Sequence, residues 1–155
     1  MMSWSLIALA GGRGGPAGAE PPANRLAIVV AQESPIRSLT HFELKKLYLG
    51  AHIEDAAGER IMPFNQPLTS PDRLAFESRV LGMTPDEVAR YWIDRKIRGE
   101  SGAPKAVSPV DLLQRLVSRL VHSIAYVRVG QMLPQVRPIA IDGRLPADDD
   151  YKLVV

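Results

Sequence analysis

Apolar positions fall along this chain in two distinct rhythms. The run Leu26-Ala-Ile-Val-Val-Ala31 is short, unbroken and β-branched at its centre, which is how a strand covered on both faces reads. It predicts a first strand over Arg25–Ala31, left through the loop Gln32-Glu33-Ser34-Pro35. The rhythm then becomes helical. Thr40-His41-Phe42-Glu43 has the form of a capping box, with a hydroxyl at the N-cap and an acid three residues on. Phe42, Leu44, Leu47 and Leu49 supply the apolar side, Lys45 and Lys46 stay outside, and Gly50 is placed to end the helix in the left-handed region. A polar stretch from Ala51 to Glu59 holds a turn at Asp55-Ala56-Ala57-Gly58. Arg60–Asn65 then returns to an extended pattern around Ile61, Met62 and Phe64.

Three further helix starts are built alike, at Ser70-Pro71-Asp72, Thr84-Pro85-Asp86-Glu87 and Ser108-Pro109-Val110-Asp111. Each offers a hydroxyl cap, then a proline that loses no hydrogen bond at the first helical position. The acid after it faces the positive end of the helix dipole. Helices are expected over Pro71–Leu81, Pro85–Ile97 and Pro109–Val121, with Gly82 and Gly99 closing the first two. Strands come next at Ser123–Val129, Arg137–Asp142 and Tyr151–Val155. The order β-α-β-α-α-α-β-β-β contains no internal repeat and no second domain.

Composition narrows the possibilities. A chain of 155 residues is one domain's worth and can bury a real core. The net charge of +2 is small and dispersed, which argues against nucleic acid. Cysteine is absent, so disulfides, thiol catalysis and cysteine metal sites are excluded. No run of 18 apolar residues is present to span a membrane. The first 23 residues differ in character from the rest: Trp4–Ala10 is apolar, a Gly-rich stretch comes after it, and Ala17-Gly18-Ala19 is a small-x-small tripeptide of the kind signal peptidase reads. No basic residue precedes Trp4. We expect residues 1–19 to be a signal peptide, 20–24 a Pro-rich lead-in, and 25–155 the folded domain of an exported protein.

Four phrases, taken in order, carry a resemblance. Ala27-Ile28-Val29-Val30 with Ser34-Pro35 looks like a strand and serine-bearing loop. Ser38-Leu39-Thr40 through Glu43-Leu44 to Leu47-Tyr48-Leu49-Gly50 looks like the helix after it. Ile61-Met62-Pro63-Phe64 followed by Arg73-Leu74-Ala75-Phe76 looks like the next strand and helix. Ser123-Ile124-Ala125-Tyr126-Val127 with Ile141-Asp142-Gly143 and Pro146 looks like the closing strands. Together they resemble the phosphate-type periplasmic solute-binding proteins of ABC importers, over one lobe of a two-lobed architecture. The resemblance implies an α/β fold, a single lobe of the periplasmic-binding-protein type II kind, with a mostly parallel sheet flanked by helices. It implies a binding protein that needs no cofactor, and not an enzyme.

In that family backbone N–H groups at helix N-termini, hydroxyls and an arginine converge on an oxyanion such as phosphate. The relevant helix is entered there through an Arg-x-x-Gly-Ser-Gly-Thr stretch. The corresponding segment of this chain is Gln66-Pro67-Leu68-Thr69-Ser70-Pro71-Asp72, where only Ser70 matches. Pro71 removes a donor and Asp72 adds a negative charge, so recognition of phosphate is expected to be weak or altered. The candidate anion ligands are Ser34, placed at the C-terminal end of the first strand where open α/β sheets bind ligands, and Thr69, Ser70 and Arg73 at the mouth of the Pro71 helix. Asn65 and Gln66 are secondary candidates. The expected niche lies where the Ser34 loop and that helix mouth meet. The competing reading is an envelope protein-interaction or signalling module on the same scaffold, binding a partner protein or itself. His41, His52 and His122 lack metal-ligand spacing. Asp148–Asp150 reads as a solvated acidic run, and Tyr91 and Trp92 as packing residues.

Overall fold

The computed structural model describes residues 22–155, and the expected signal peptide lies outside them. The unbroken apolar run is β1 (Leu26–Ala31), and all six of its residues are buried. Successive strand residues point to opposite faces. Leu26, Ile28 and Val30 therefore enter one core, while Ala27 and Val29 enter a second. β5 (Ser123–Arg128) divides in the same way, with Ile124 and Tyr126 on the first face and Ala125 and Val127 on the other. The first face is covered by α1 (His41–Tyr48) and α2 (Pro71–Phe76) through Leu44, Leu47, Tyr48 and Phe76. The second is covered by α4 (Val110–Arg119) through Leu113 and Val117. The result is a sheet between two helical layers.

The main sheet runs in the order β4 (Lys105–Ala106), β3 (Met62–Asn65), β5, β1, β6 (Val136–Pro138). β4, β3 and β5 are mutually parallel, and β1 is antiparallel to both of its neighbours, β5 and β6. Four strands thus share one direction and β1 opposes them, which makes the sheet mostly parallel and flanked by helices, as expected. A short parallel ladder joins β2 (Ser38–Leu39) to β7 (Ala140–Ile141) at its side.

The helix starts form as their chemistry requires, with one exception. Thr40 and Glu43 make the reciprocal capping box of α1, and the Thr84 side chain caps α3 (Pro85–Ile97). The third Pro-containing start differs: α4 begins at Val110 with Pro109 in the cap position and no side-chain cap. It ends at Arg119 rather than Val121, because Leu120 leaves helical backbone and its carbonyl accepts from Ser123 N and Oγ. The predicted Pro71–Leu81 helix is α-helical only to Phe76. Glu77–Leu81 winds as a π-helix and stops at Gly82, in the left-handed conformation. The expected strand over Arg137–Asp142 splits between two sheets. Ile139 N still donates to Ile28 O, whereas Asp142 N has turned to Leu39 O. Tyr151–Val155 forms a single bridge, Val154 to Arg25, and the Tyr151 hydroxyl donates to Leu26 O at 2.6 Å. No helix among the described residues is long and apolar enough to cross a membrane.

Candidate functional site

The direction of β1 decides where the candidate residues lie. Because β1 runs against β5, with Leu26 opposite Arg128 and Val29 opposite Ala125, the exit of β1 lies beside the entry of β5. Ser34 is accordingly held there: its Oγ donates to Val121 O at 2.6 Å and accepts from Ile36 N at 3.1 Å. Arg137 donates to the carbonyls of Ser34 and Ile36 and braces the loop. Ser34 is buried and both hydrogen-bonding roles of its hydroxyl are taken.

Asn65, Gln66, Ser70 and Arg73 gather at the other end of the sheet, beyond the C-terminal ends of β3 and β5. The expectation that the Ser34 loop and the Pro71 helix mouth share one niche does not hold. A strand of about six residues, roughly 17–20 Å, separates them. The rule that ligands sit at C-terminal strand ends presumes strands of one direction, and β1 is the reversed one.

The mouth of α2 is filled by side chains. Ser70 Oγ accepts from Arg73 N and donates to Gln66 Oε1 at 2.6 Å. Gln66 Nε2 donates to Tyr126 O at 2.9 Å, and Gln66 N to Asn65 Oδ1 at 3.0 Å. The Tyr126 hydroxyl donates to the same Asn65 oxygen. Arg73 turns inward, its Nε donating to Glu77 Oε1 at 2.7 Å and its Nη1 to Gln66 O at 2.9 Å. Asp72 is paired with Arg128, whose Nε donates to its Oδ1 at 2.9 Å. Two cations thus face two carboxylates, so the cluster carries no surplus positive charge. No buried side-chain nitrogen or oxygen among the described residues lacks a hydrogen-bond partner. Thr69 is exposed on the loop and stands apart from this network.

Aromatic packing holds the cluster from beneath. Tyr126 stacks on Phe76 with ring centroids 4.0 Å apart, and Tyr48 meets Phe76 edge-on at 4.6 Å. The Tyr48 hydroxyl donates to Phe64 O at 2.8 Å. Burial pushes both tyrosine hydroxyls well above their ordinary pKa, so they act as neutral donors.

The sequence reading missed Glu77, Tyr126 and Arg128 as members of this cluster. The spacing Arg73–Glu77, one helical turn, was the available signal for the first. The other two arrive from β5 and carry no local mark. Away from the cluster, His122 Nδ1 lies 2.5 Å from Asp55 Oδ2, and Asp55 Oδ1 accepts from Ala57 N and Glu59 N. Burial alone would raise the Asp55 carboxyl, but these hydrogen bonds outweigh it and hold the group below its ordinary range. No trio of His, Asp or Glu among the described residues is arranged to hold a metal ion. A cleft of about 400 Å³ lies between the end of α1, β3 and the loop 101–105, and none of the candidate residues lines it.

No protein-family model matches the chain, and no curated protein matches it. Solved structures do. An ABC-type phosphate transport receptor from Vibrio cholerae aligns over 79% of this chain at 25% identity and a TM-score of 0.63. A putative phosphate ABC transporter substrate-binding protein from Clostridium perfringens, solved with bound phosphate, aligns over 77% at 18% identity and 0.60. PstS from Borrelia burgdorferi aligns over 79% at 16% identity and 0.53. The aligned regions are 48%, 45% and 49% of those proteins, so this chain spans about half their length. The chain folds as a partial, single-lobe version of the PstS-like phosphate ABC transporter substrate-binding proteins.

Proposed function

We propose that this chain is a small exported solute-binding-like protein in which oxyanion recognition is weak or altered, with residues 1–19 serving as its export signal. Its likeness to phosphate receptors supports the solute-binding reading. The observation that carries the second half is the filled mouth of α2: Ser70, Gln66, Arg73 and Glu77 satisfy one another, and Asp72 keeps a carboxylate beside them. A phosphate dianion must displace those bonds. Each replacement contributes about 0.5–1.5 kcal/mol net, against the cost of freeing a buried arginine from its partner. Pro71 has no N–H, Arg73 N is taken by Ser70 Oγ and Leu74 N by Ser70 O, so few free N–H groups are left at the start of α2 to face an anion. Ser34 is not a member of this site in our reading; Ser70, Arg73 and Gln66 are its core, with Asn65 behind them and Thr69 at the rim.

Titration calorimetry with inorganic phosphate tests the proposal. The expected outcome is a dissociation constant of about 1 mM or weaker, or no heat. A submicromolar constant overturns it.

A protein-interaction role is favoured by a separate observation. β4 ends the sheet with two exposed residues, and beside it Met62 and Leu112 are about half exposed, an apolar border to an open edge. Light scattering on the purified protein separates the readings: a dimer with no anion response favours interaction, and a monomer with a saturable response favours solute binding.

A further inference from the structure

The cleft beside β3 is chemically unlike the α2 mouth, and its binding chemistry is independent of whether that mouth takes an anion. Its floor is β3 and the two residues before it, Arg60 and Ile61, and its walls are the end of α1 and the loop leading into β4. Leu47, Ile61, Met62, Phe64 and Pro104 make it predominantly apolar, and at about 400 Å³ it falls within the range of about 300–1,000 Å³ typical of small-molecule sites.

The cleft is held open by construction. Arg95, from α3, lies over Gly50, where a Cβ would come within 2.9 Å of its Nη2. The guanidinium lies 5.8 and 5.7 Å from the ring centroids of Tyr91 and Trp92. It pairs with Glu100 at 2.7 Å and donates to Ser101 Oγ at 3.2 Å. The start of the segment that leads into β4 is thereby tied to α3 at Glu100 and Ser101, while its end pairs with β3 at Lys105. The Tyr91 hydroxyl, donating to Leu49 O at 2.6 Å, ties α3 to the end of α1 in turn.

The charge of the lining is one-sided. Arg60 and Lys105 line the cleft and no carboxylate does. Neither cation has an ion-pair partner among the described residues. An apolar trough with unpaired cations suits one ligand chemistry. A dianion such as phosphate needs more hydrogen-bond donors than these walls offer, and an amine meets like charge. We propose that this cleft binds a small monocarboxylate with an apolar body, its chain or ring against Leu47, Ile61, Met62 and Phe64 and its carboxylate at Arg60 and Lys105.

The test is titration of the full chain with phenylbutyrate, the matching phenylbutylamine and inorganic phosphate, followed by calorimetry and by amide chemical shifts. Phenylbutyrate should saturate with a dissociation constant of about 1 mM or tighter, perturbing Ile61–Phe64 and Ser101–Lys105. The amine and phosphate should bind at least roughly tenfold more weakly. Reversing both exposed cations, Arg60→Glu with Lys105→Glu, should weaken the acid by roughly tenfold or more while circular dichroism stays unchanged. The proposal is overturned if the amine binds the wild type as tightly as the acid, or if no saturable signal appears by about 10 mM acid. Undiminished affinity in the folded double variant overturns it equally. The acid-against-amine comparison decides the matter on the unaltered protein even if that variant does not fold.

Discussion

Glu77→Gln is the perturbation that distinguishes a mouth closed by internal pairing from one that is merely unoccupied. Arg73 and Glu77 meet at 2.7 Å with side chains only 9% and 5% exposed, so solvent does little to screen them. Removing one charge from such a buried pair costs about 3–5 kcal/mol. The glutamine oxygen can keep one hydrogen bond to Arg73 Nε, worth about 0.5–1.5 kcal/mol. A net loss of about 3 kcal/mol then lowers Tm by roughly 6–12 °C for a domain of this size. The same change leaves an uncompensated guanidinium next to Ser70 and Gln66, which is what an oxyanion needs. Scanning calorimetry in sulfate and in chloride at equal ionic strength reads both effects. The variant should melt well below wild type in chloride and recover more of that loss in sulfate than wild type gains. An anion at about a hundred times its dissociation constant returns about 2.7 kcal/mol. If the variant melts with wild type in chloride, the pair is not what closes the mouth. If wild type gains as much from sulfate as the variant does, the mouth is already open and the reasoning fails.

Three further outcomes rest on the same geometry. Gly50→Ala must place a Cβ at a backbone φ of 95° and 2.9 Å from Arg95 Nη2; it should cost about 1–3 kcal/mol in denaturant unfolding, and wild-type stability there refutes the clamp. Burial raises the hydroxyls of Tyr48, Tyr126 and Tyr151 above their unfolded value of about 10. The folded state then holds protons that the unfolded state gives up, so their stabilising effect is complete below pH about 10 and is lost as pH rises beyond it. The urea midpoint should fall steeply there, and the tyrosinate absorbance of these three residues should rise only as the chain unfolds. Asp55 is the opposite case: its carboxyl is held below the ordinary range by His122 and the Glu59 and Ala57 amides despite burial. Its contribution is present above the unfolded pKa of about 3.9 and fades as pH falls through the folded value. Asp55→Asn should therefore destabilise most at neutral pH, and its urea midpoint should converge on wild type in acid.

Much of the architecture was legible because local chemistry leaves local marks. The run Leu26–Ala31 has no polar alternate positions, and both faces of β1 are covered. The Thr40 and Glu43 pair can satisfy each other across one helical turn and needs no distant partner. The π-helical turn at Glu77–Leu81 left no such mark, since its apolar spacing reads as ordinary helix. Nor did the split of 136–141 between two sheets, which depends on Ile28 and Leu39 as partners.

The site was less legible, and for one main reason. Alternating burial reads identically whichever way a strand runs, so nothing in Leu26–Ala31 reveals that β1 opposes its neighbours. That reversal alone carries Ser34 to the far end of the sheet from Ser70. The sequence by itself did determine the fold class, the side-chain caps of α1, α2 and α3, and the presence of Gln66, Thr69 and Pro71 in the segment that enters α2. Only tertiary structure decided that Arg73 turns inward to Glu77, that Tyr126 and Arg128 arrive from β5 to close the mouth, and that a cationic apolar cleft opens beside β3. These are contacts between segments distant in the chain, and their geometry is set by strand direction and packing rather than by any periodicity that a single segment can display.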